Sequence, residues 1–204
     1  MATTTKESAQ RPLRADARRN REAIVQAARG LVAEHGAEAQ IQDVARKAGV
    51  GVGTVYRHFP TKDALMGELM MMCMSENAQI AREAAQLDDP WEAFAATVRN
   101  GCESMAADAA KRRMWQVASD QAFAYAAEAK QEMIDETQLV VNRAQSAGVL
   151  RADFGSDDMR GLMCGLAAVI DQTRMPGDWR RLVEFALDGL RLQPDRGAIP
   201  ELDE

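Results

Sequence analysis

Apolar residues in this chain recur at intervals of three and four, the period of a helix rather than of a strand. Ile24, Val25, Ala28, Leu31 and Val32 form the first stripe, in a helix with Asp16 as its cap that ends at Gly36. Ile41, Val44, Ala45 and Ala48 follow at i, i+3, i+4 and i+7, and Gly49 supplies the positive φ that ends a helix cheaply. Val52, Val55 and Phe59 give the next short helix its apolar side. Pro60 stops that helix, and Thr61 is a good N-cap for another.

Beyond residue 65 only helical spacing is found. The pattern predicts a helix over about 62–86, with Leu65, Leu69 and Met72 inside, and a second opened by Asp89-Pro90 that carries Trp91, Phe94, Val98, Cys102 and Met105. A short segment at Lys111–Val117 precedes one long helix from about Gln121 to Ala147, closed by Gly148. Ser156 caps a helix with an acidic first turn, Pro176-Gly177 makes a turn, and Trp179–Leu190 forms the last helix. The fold class is therefore all-α: an N-terminal three-helix domain with a helix-turn-helix, and a larger helical domain after it. Residues 1–15 read as a disordered basic arm, 16–61 as the small domain, 62–192 as the body and 193–204 as a polar tail.

Two short helices joined by a glycine turn match the spacing of a DNA-binding helix-turn-helix, whose second helix enters a major groove. The residues of the second helix that do not face inward, Gly53, Thr54, Arg57 and His58, are small, polar or cationic. The run AGV-x-x-GT-x-Y-x-HF-x-x-K-x-x-L makes the resemblance specific. Ala48, Gly49, Val50, Gly53, Thr54, Tyr56, His58, Phe59, Lys62 and Leu65 stand at its fixed positions. It resembles the N-terminal domain of the TetR family of bacterial transcriptional regulators. The helical body, with its GVLRAD and WRRLVEFALDGL segments, is similar to that family's ligand-binding domain.

The resemblance implies double-stranded operator DNA as a partner. Tyr56, His58 and Lys62 occupy the family's phosphate-contacting positions, and Gln42, Val52, Gly53, Thr54 and Arg57 those that face base edges. Arg57 suits a guanine and Gln42 an adenine, at about 1–3 kcal/mol of discrimination each. For Arg57 a phosphate contact is the alternative, and for Val52 core packing. Gln40 and Gly51 depart from the family, which often has Thr or Ser at the first place and Ser at the second. Arg11, Arg14, Arg18 and Arg19 lie in the arm or at its junction with the first helix, to reach DNA or simply to keep the tail solvated.

Charge agrees with this layout. Residues 1–62 hold 11 Lys/Arg against 6 Asp/Glu and the remainder 14 against 25, so a net charge of −6 conceals a basic head on an acidic body. No apolar run is long enough for a membrane span, the N-terminus has no secretory pattern, and a cytoplasmic location is expected. Cys73, Cys102 and Cys164 form no metal or disulfide spacing and read as packing thiols, with redox sensing as the alternative. His35 and His58 are not spaced as metal ligands, and no cofactor is expected. An enzyme is the remaining rival class, but no nucleophile–base or carboxylate pair stands out.

If the body senses a small-molecule effector, Met66, Met70, Trp91, Phe94, Met105, Met114, Trp115, Phe123, Met133 and Met163 are the candidates to line its pocket. Plain core packing is the alternative for each, and Arg113 or Asp171 are charged groups available to orient a ligand. Gly161, Gly165 and Ala168 leave room for a neighbouring helix. The resemblance implies a homodimer through the last two helices, at Met159, Gly161, Leu162, Gly165, Leu166, Leu182, Val183, Ala186 and Leu190. The resulting expectation is a DNA-binding regulator, a repressor released from its operator by a ligand.

Overall fold

Two glycines in the left-handed region, Gly36 at φ +56° and Gly49 at φ +68°, divide the N-terminal third of the chain into helices. The computed structural model describes residues 5–171 and 179–192, and every named element among them is helical. Helix α1 (Thr5–His35) leads through a 3-10 turn at Gly36–Glu38 into α2 (Ile41–Ala48), α3 (Val52–His58) and α4 (Lys62–Ala84). The body continues with α5 (Pro90–Ala107), α6 (Ala109–Val117), α7 (Asp120–Tyr125), α8 (Ala127–Ser146), α9 (Ser156–Asp171) and α10 (Trp179–Leu190).

Helix α1 corrects one expectation. It already runs from Thr5, so the arm expected to be disordered over residues 1–15 is helical from that residue on. Asp16 lies inside the helix and pairs with Arg19 instead of capping. The segment is rich in Ala, Arg, Glu and Gln, which favour helix, and extending a nucleated helix avoids the cost of starting one, while Pro12 opposes it. The turn expected at Pro176-Gly177 and the tail over 193–204 lie outside the described residues.

The three-helix head is not sealed off from the body. Ile24, Val32, Ile41, Val44, Val55 and Phe59 are buried together with Leu65, Leu69, Met70 and Met74 of α4, Met114 of α6 and Ala122 of α7. The boundary drawn at 61/62 along the sequence is therefore crossed by one continuous apolar cluster. A second core gathers α5, the end of α8, α9 and α10 around Phe94, which meets Trp91 and Phe154 at ring separations of 5.7 Å.

The long helix expected from Gln121 to Ala147 is broken. Ala126 (φ −99°, ψ 15°) separates α7 from α8. The cause is tertiary, since alanine favours helix. Helix α7 lies on α4 at Gly67, so close that a Cβ there would stand 2.4 Å from the Cβ of Tyr125. The bend buries Ala122 and Ala126 in that contact. At α9, Ser156 is the first helical residue rather than the cap. Asp158 instead accepts the Gly155 N–H at 2.8 Å, a carboxylate placed where the helix dipole favours one.

Candidate nucleic-acid interface

Helix α3 is held by two anchors, Val55 and Phe59, both fully or almost fully buried. With those turned inward, the helical period presents Val52, Gly53, Tyr56 and Arg57 to solvent, with Thr54 half-buried beside them. Val52 is 37% exposed, so it belongs to the outer face and not to the core. Gln42 is exposed on α2. Gly53 has open space around its Cβ position, so nothing inside the protein requires glycine there. A helix interior penalises glycine by about 1 kcal/mol. No contact among the described residues compensates for it.

Electrostatics single out one cation. Among the described residues, Arg18, Arg19, Arg21, Arg29, Arg46 and Lys47 each face a carboxylate. Lys62 donates to the carbonyl of Ala37 at 2.9 Å, closing the 3-10 turn onto the start of α4. Of the Lys and Arg side chains in residues 16–62, that leaves Arg57 with neither an acidic nor a carbonyl partner. His58 is half-buried, and its Nε2 is turned inward with no hydrogen-bond partner. That nitrogen does not face a phosphate in this conformation, and Lys62 reaches one only by leaving Ala37.

The two departures noted in the sequence are visible as missing caps. Neither Gln40, which opens α2, nor Gly51, which opens α3, makes a side-chain cap bond. Gln40 donates instead to the carbonyl of Glu38 at 3.0 Å. Thr61, by contrast, caps α4 through the N–H of Ala64. Phe59 is further fixed from outside by the Arg21 guanidinium, 5.2 Å above its ring.

Comparison with known proteins bears on both halves. The family model described as "Bacterial regulatory proteins, tetR family" matches residues 24–69, the head and the start of α4. Another, described as "Transcriptional regulator SbtR-like, C-terminal domain", matches residues 89–192. A TetR transcription regulatory protein from Mycobacterium vanbaalenii is 30% identical over 89% of this chain and 100% of its own, with a TM-score of 0.58. This chain belongs to the TetR family. It is a DNA-binding transcriptional regulator and not an enzyme. The TetR transcriptional regulator SCO0520 from Streptomyces coelicolor is likewise 30% identical, over 84% of this chain and 98% of its own, with a TM-score of 0.58. The HTH-type transcriptional repressor Rv3405c of Mycobacterium tuberculosis is 49% identical over 49 residues, which span 24% of this chain and 26% of that repressor.

Within this TetR-family body, the ten residues expected to line one pocket do not converge. Met66, Met70, Met114, Trp115, Phe123 and Met133 pack in the core shared with the head, whereas Trp91, Phe94, Met105 and Met163 pack in the second core. Met and aromatic residues at helical spacing mark any inward face, and periodicity does not say which inward faces meet. Arg113 and Asp171 are taken up elsewhere, Arg113 by the carbonyl of Ala33 at 2.6 Å and Asp171 by Arg112 at 3.1 Å. A cavity of about 80 Å³ lies instead where α1, α4 and α6 meet. Of the ten residues, only Met114 lines it. Its polar members, Arg29, Cys73, Glu76, Asp108 and Lys111, carried no signal beyond ordinary helical charge.

The face expected to pair two subunits is only partly exposed. Met159, Leu166 and Val183 are buried in the second core of their own chain. Leu162, Ala186 and Leu190 are half-buried. Gly161, Gly165 and Leu182 are exposed as expected, and they are joined by Cys164, Ala168 and Phe185. Phe185 is 59% exposed and lies one turn beyond Leu182, a spacing the sequence did contain. Helix α10 is clipped to α5 by two bidentate pairs, Arg99 with Glu184 and Arg180 with Glu103. Its outer stripe is thus presented by a fixed helix.

Burial pushes the Cys73 thiol up to about 11, with Lys111 offsetting only part of the shift, and pushes Cys102 up to about 12. Both stay protonated near neutral pH, which makes them poor nucleophiles. No helix among the described residues is long and apolar enough to cross a membrane.

Proposed function

We propose that this regulator is a homodimeric repressor that binds a two-half-site operator and releases it when a small molecule occupies the body. The observation that carries the DNA side is the outer face of α3. There an unpaired Arg57, an unobstructed Gly53, Thr54 and Tyr56 form a surface with no internal purpose. Arg57 reads a base edge, Gln42 and Thr54 assist, and Tyr56 holds a phosphate. His58 and Lys62 hold the helix and the adjoining turn in place first, and meet the backbone only after rearranging. The repressor sense is supported by Rv3405c, a repressor whose matching segment is nearly half identical.

Two heads must meet half-sites about 34 Å apart, so a dimer follows from the task. Gly161, Gly165, Leu182 and Phe185 are its contact residues, offered by α9 and α10. Release follows from the shared core. Because α4, α6 and α7 bury one apolar cluster with the head, a ligand that shifts α4 or α6 tilts the heads out of register. By linkage the ligand binds the DNA-free form more tightly, and DNA weakens the ligand by the same factor. The protein works in the cytoplasm, beside its operator.

The decisive test is binding to the DNA upstream of its own gene, titrated against salt. Tight binding with a steep salt slope, lost in Tyr56→Ala, is the expected result. Equal affinity for that DNA and for random DNA at every salt concentration refutes the assignment of that operator.

A further inference from the structure

The cavity between α1, α4 and α6 combines an apolar wall with cationic donors that the protein does not use. Leu69, Met72, Ala110 and Met114 line one part of it. Lys111 lies at its edge with a side chain that is wholly buried. A buried ammonium carries three N–H donors and needs an acceptor for each. Lys111 has two partners, the Ser104 hydroxyl at 2.6 Å and the Glu76 carboxylate at 3.2 Å, and Ser104 itself donates to the same Glu76 oxygen at 2.5 Å. One donor is left over.

Arg29 comes from the head and presents the second set. Its Nη2 bonds Asp108, and its Nε and Nη1 have no partner among the described residues. Asp108 has nothing to offer a ligand in return. One of its oxygens takes Arg29 and the other caps α6 through the N–H of Ala110 at 2.9 Å. Cys73, also on the wall, is kept as a neutral thiol by its burial. Glu76 is half exposed, so its second oxygen is open to water. The site therefore has spare cationic donors, few spare acceptors and a short apolar floor.

We propose that this cavity binds a small organic acid, its carboxylate bridging Lys111 and Arg29 and its short chain lying on Leu69, Met72 and Met114. A carboxylate is acceptor-only and complements those donors. At about 80 Å³ the space takes about five water-sized groups, which fits an acid of three or four carbons. The location gives the site a consequence. The Arg29–Asp108 pair ties the head helix to the N-terminus of α6. A carboxylate held between Lys111 and the free donors of Arg29 draws the guanidinium away from Asp108 and so loosens that tie. This last step rests on the reading of the protein as an operator-binding repressor, whereas binding of the acid does not.

Sodium butyrate and its neutral isostere butyramide are titrated calorimetrically into the full chain, at ionic strength matched with sodium chloride. The expected result is one butyrate site per chain, with butyramide at least about tenfold weaker, as befits loss of a charge-assisted contact. Lys111→Met and Arg29→Gln each lose about tenfold or more. Arg29 is partly exposed, so that variant keeps the test valid if Lys111→Met fails to fold. No butyrate heat, equal binding of acid and amide, or unchanged affinity in the folded variants overturns the site. Operator affinity is then measured with and without butyrate. Weakening in the wild type but not in Arg29→Gln supports the coupling, and butyrate binding without any weakening overturns it. A chain that binds butyrate but no operator fails as a repressor while the site stands.

Discussion

Two glycine-to-alanine changes in two helices should move stability in opposite directions. Replacing glycine by alanine inside a helix gains about 1 kcal/mol from backbone propensity alone. At Gly67 the new Cβ stands 2.4 Å from the Cβ of Tyr125 and 3.1 Å from the carbonyl oxygen of Ala122. Carbon atoms prefer about 3.5–4.0 Å, so α7 must retreat by about 1 Å or more. No rotamer change relieves a clash between two Cβ atoms. Overpacking of this kind costs about 1–3 kcal/mol, which turns the propensity gain into a net loss of about 1–2 kcal/mol. At Gly30 the new Cβ meets the Nζ of Lys47 at 2.7 Å, the mobile tip of a side chain that pairs with Glu34 at the surface. Moving that tip sacrifices an exposed pair worth about 0–1 kcal/mol, so Gly30→Ala should be stabilised by about 0.5 kcal/mol. Urea unfolding with linear extrapolation, at one protein concentration because a dimer's stability depends on it, measures both. In a thermal melt each kcal/mol appears as about 2–4 °C for a chain of this size. If Gly67→Ala proves as stable as Gly30→Ala, the close approach of α7 to α4 is wrong, and with it the reason given for the break at Ala126.

Further outcomes are expected elsewhere. Arg57→Ala should cost about 1–3 kcal/mol of operator affinity and relax preference at one base pair, read by a binding array of single-base operator variants. A uniform loss across all variants would make Arg57 a phosphate contact instead. Gly51→Ser adds a hydroxyl at the N-cap of α3, where the backbone is already extended and the Cβ position open. It should raise the unfolding free energy by a few tenths of a kcal/mol, read as a higher urea midpoint. Phe185→Asp should leave the monomer's helicity intact and shift the sedimentation profile from dimer to monomer, since Phe185 is mostly exposed. Burial by itself would raise the Glu76 carboxyl, but the Ser104 hydroxyl, Lys111 and Arg29 outweigh it and hold it below its ordinary 4.5. The stability it contributes is therefore present above about pH 4.5 and lost as pH falls through the lowered value. Urea midpoints measured from neutral to acid pH should fall less steeply in Glu76→Gln.

The head was legible because its information is local. The spacing of Ile41, Val44, Ala45 and Ala48, the left-handed Gly49 and the cap at Thr61 act within a few residues, and the structure has them where the pattern put them. The exposure of Val52 and the inward Nε2 of His58 were not legible, because each depends on how α3 is rotated against α1 and α4.

The amino-acid order alone determined the all-helical class, most helix ends and the outer face of α3, since propensity, capping and the 3.6-residue period are properties of neighbours in sequence. Only the tertiary structure decided which inward faces meet. It split the expected pocket between two cores, turned Met159, Leu166 and Val183 into their own subunit and bent the chain at Ala126. It also brought Arg29 of the head beside Asp108 and Lys111 of the body. Arg29 lies 79 residues from Asp108 along the chain, and a buried charge can be recognised as unusual only after the fold has removed water from around it.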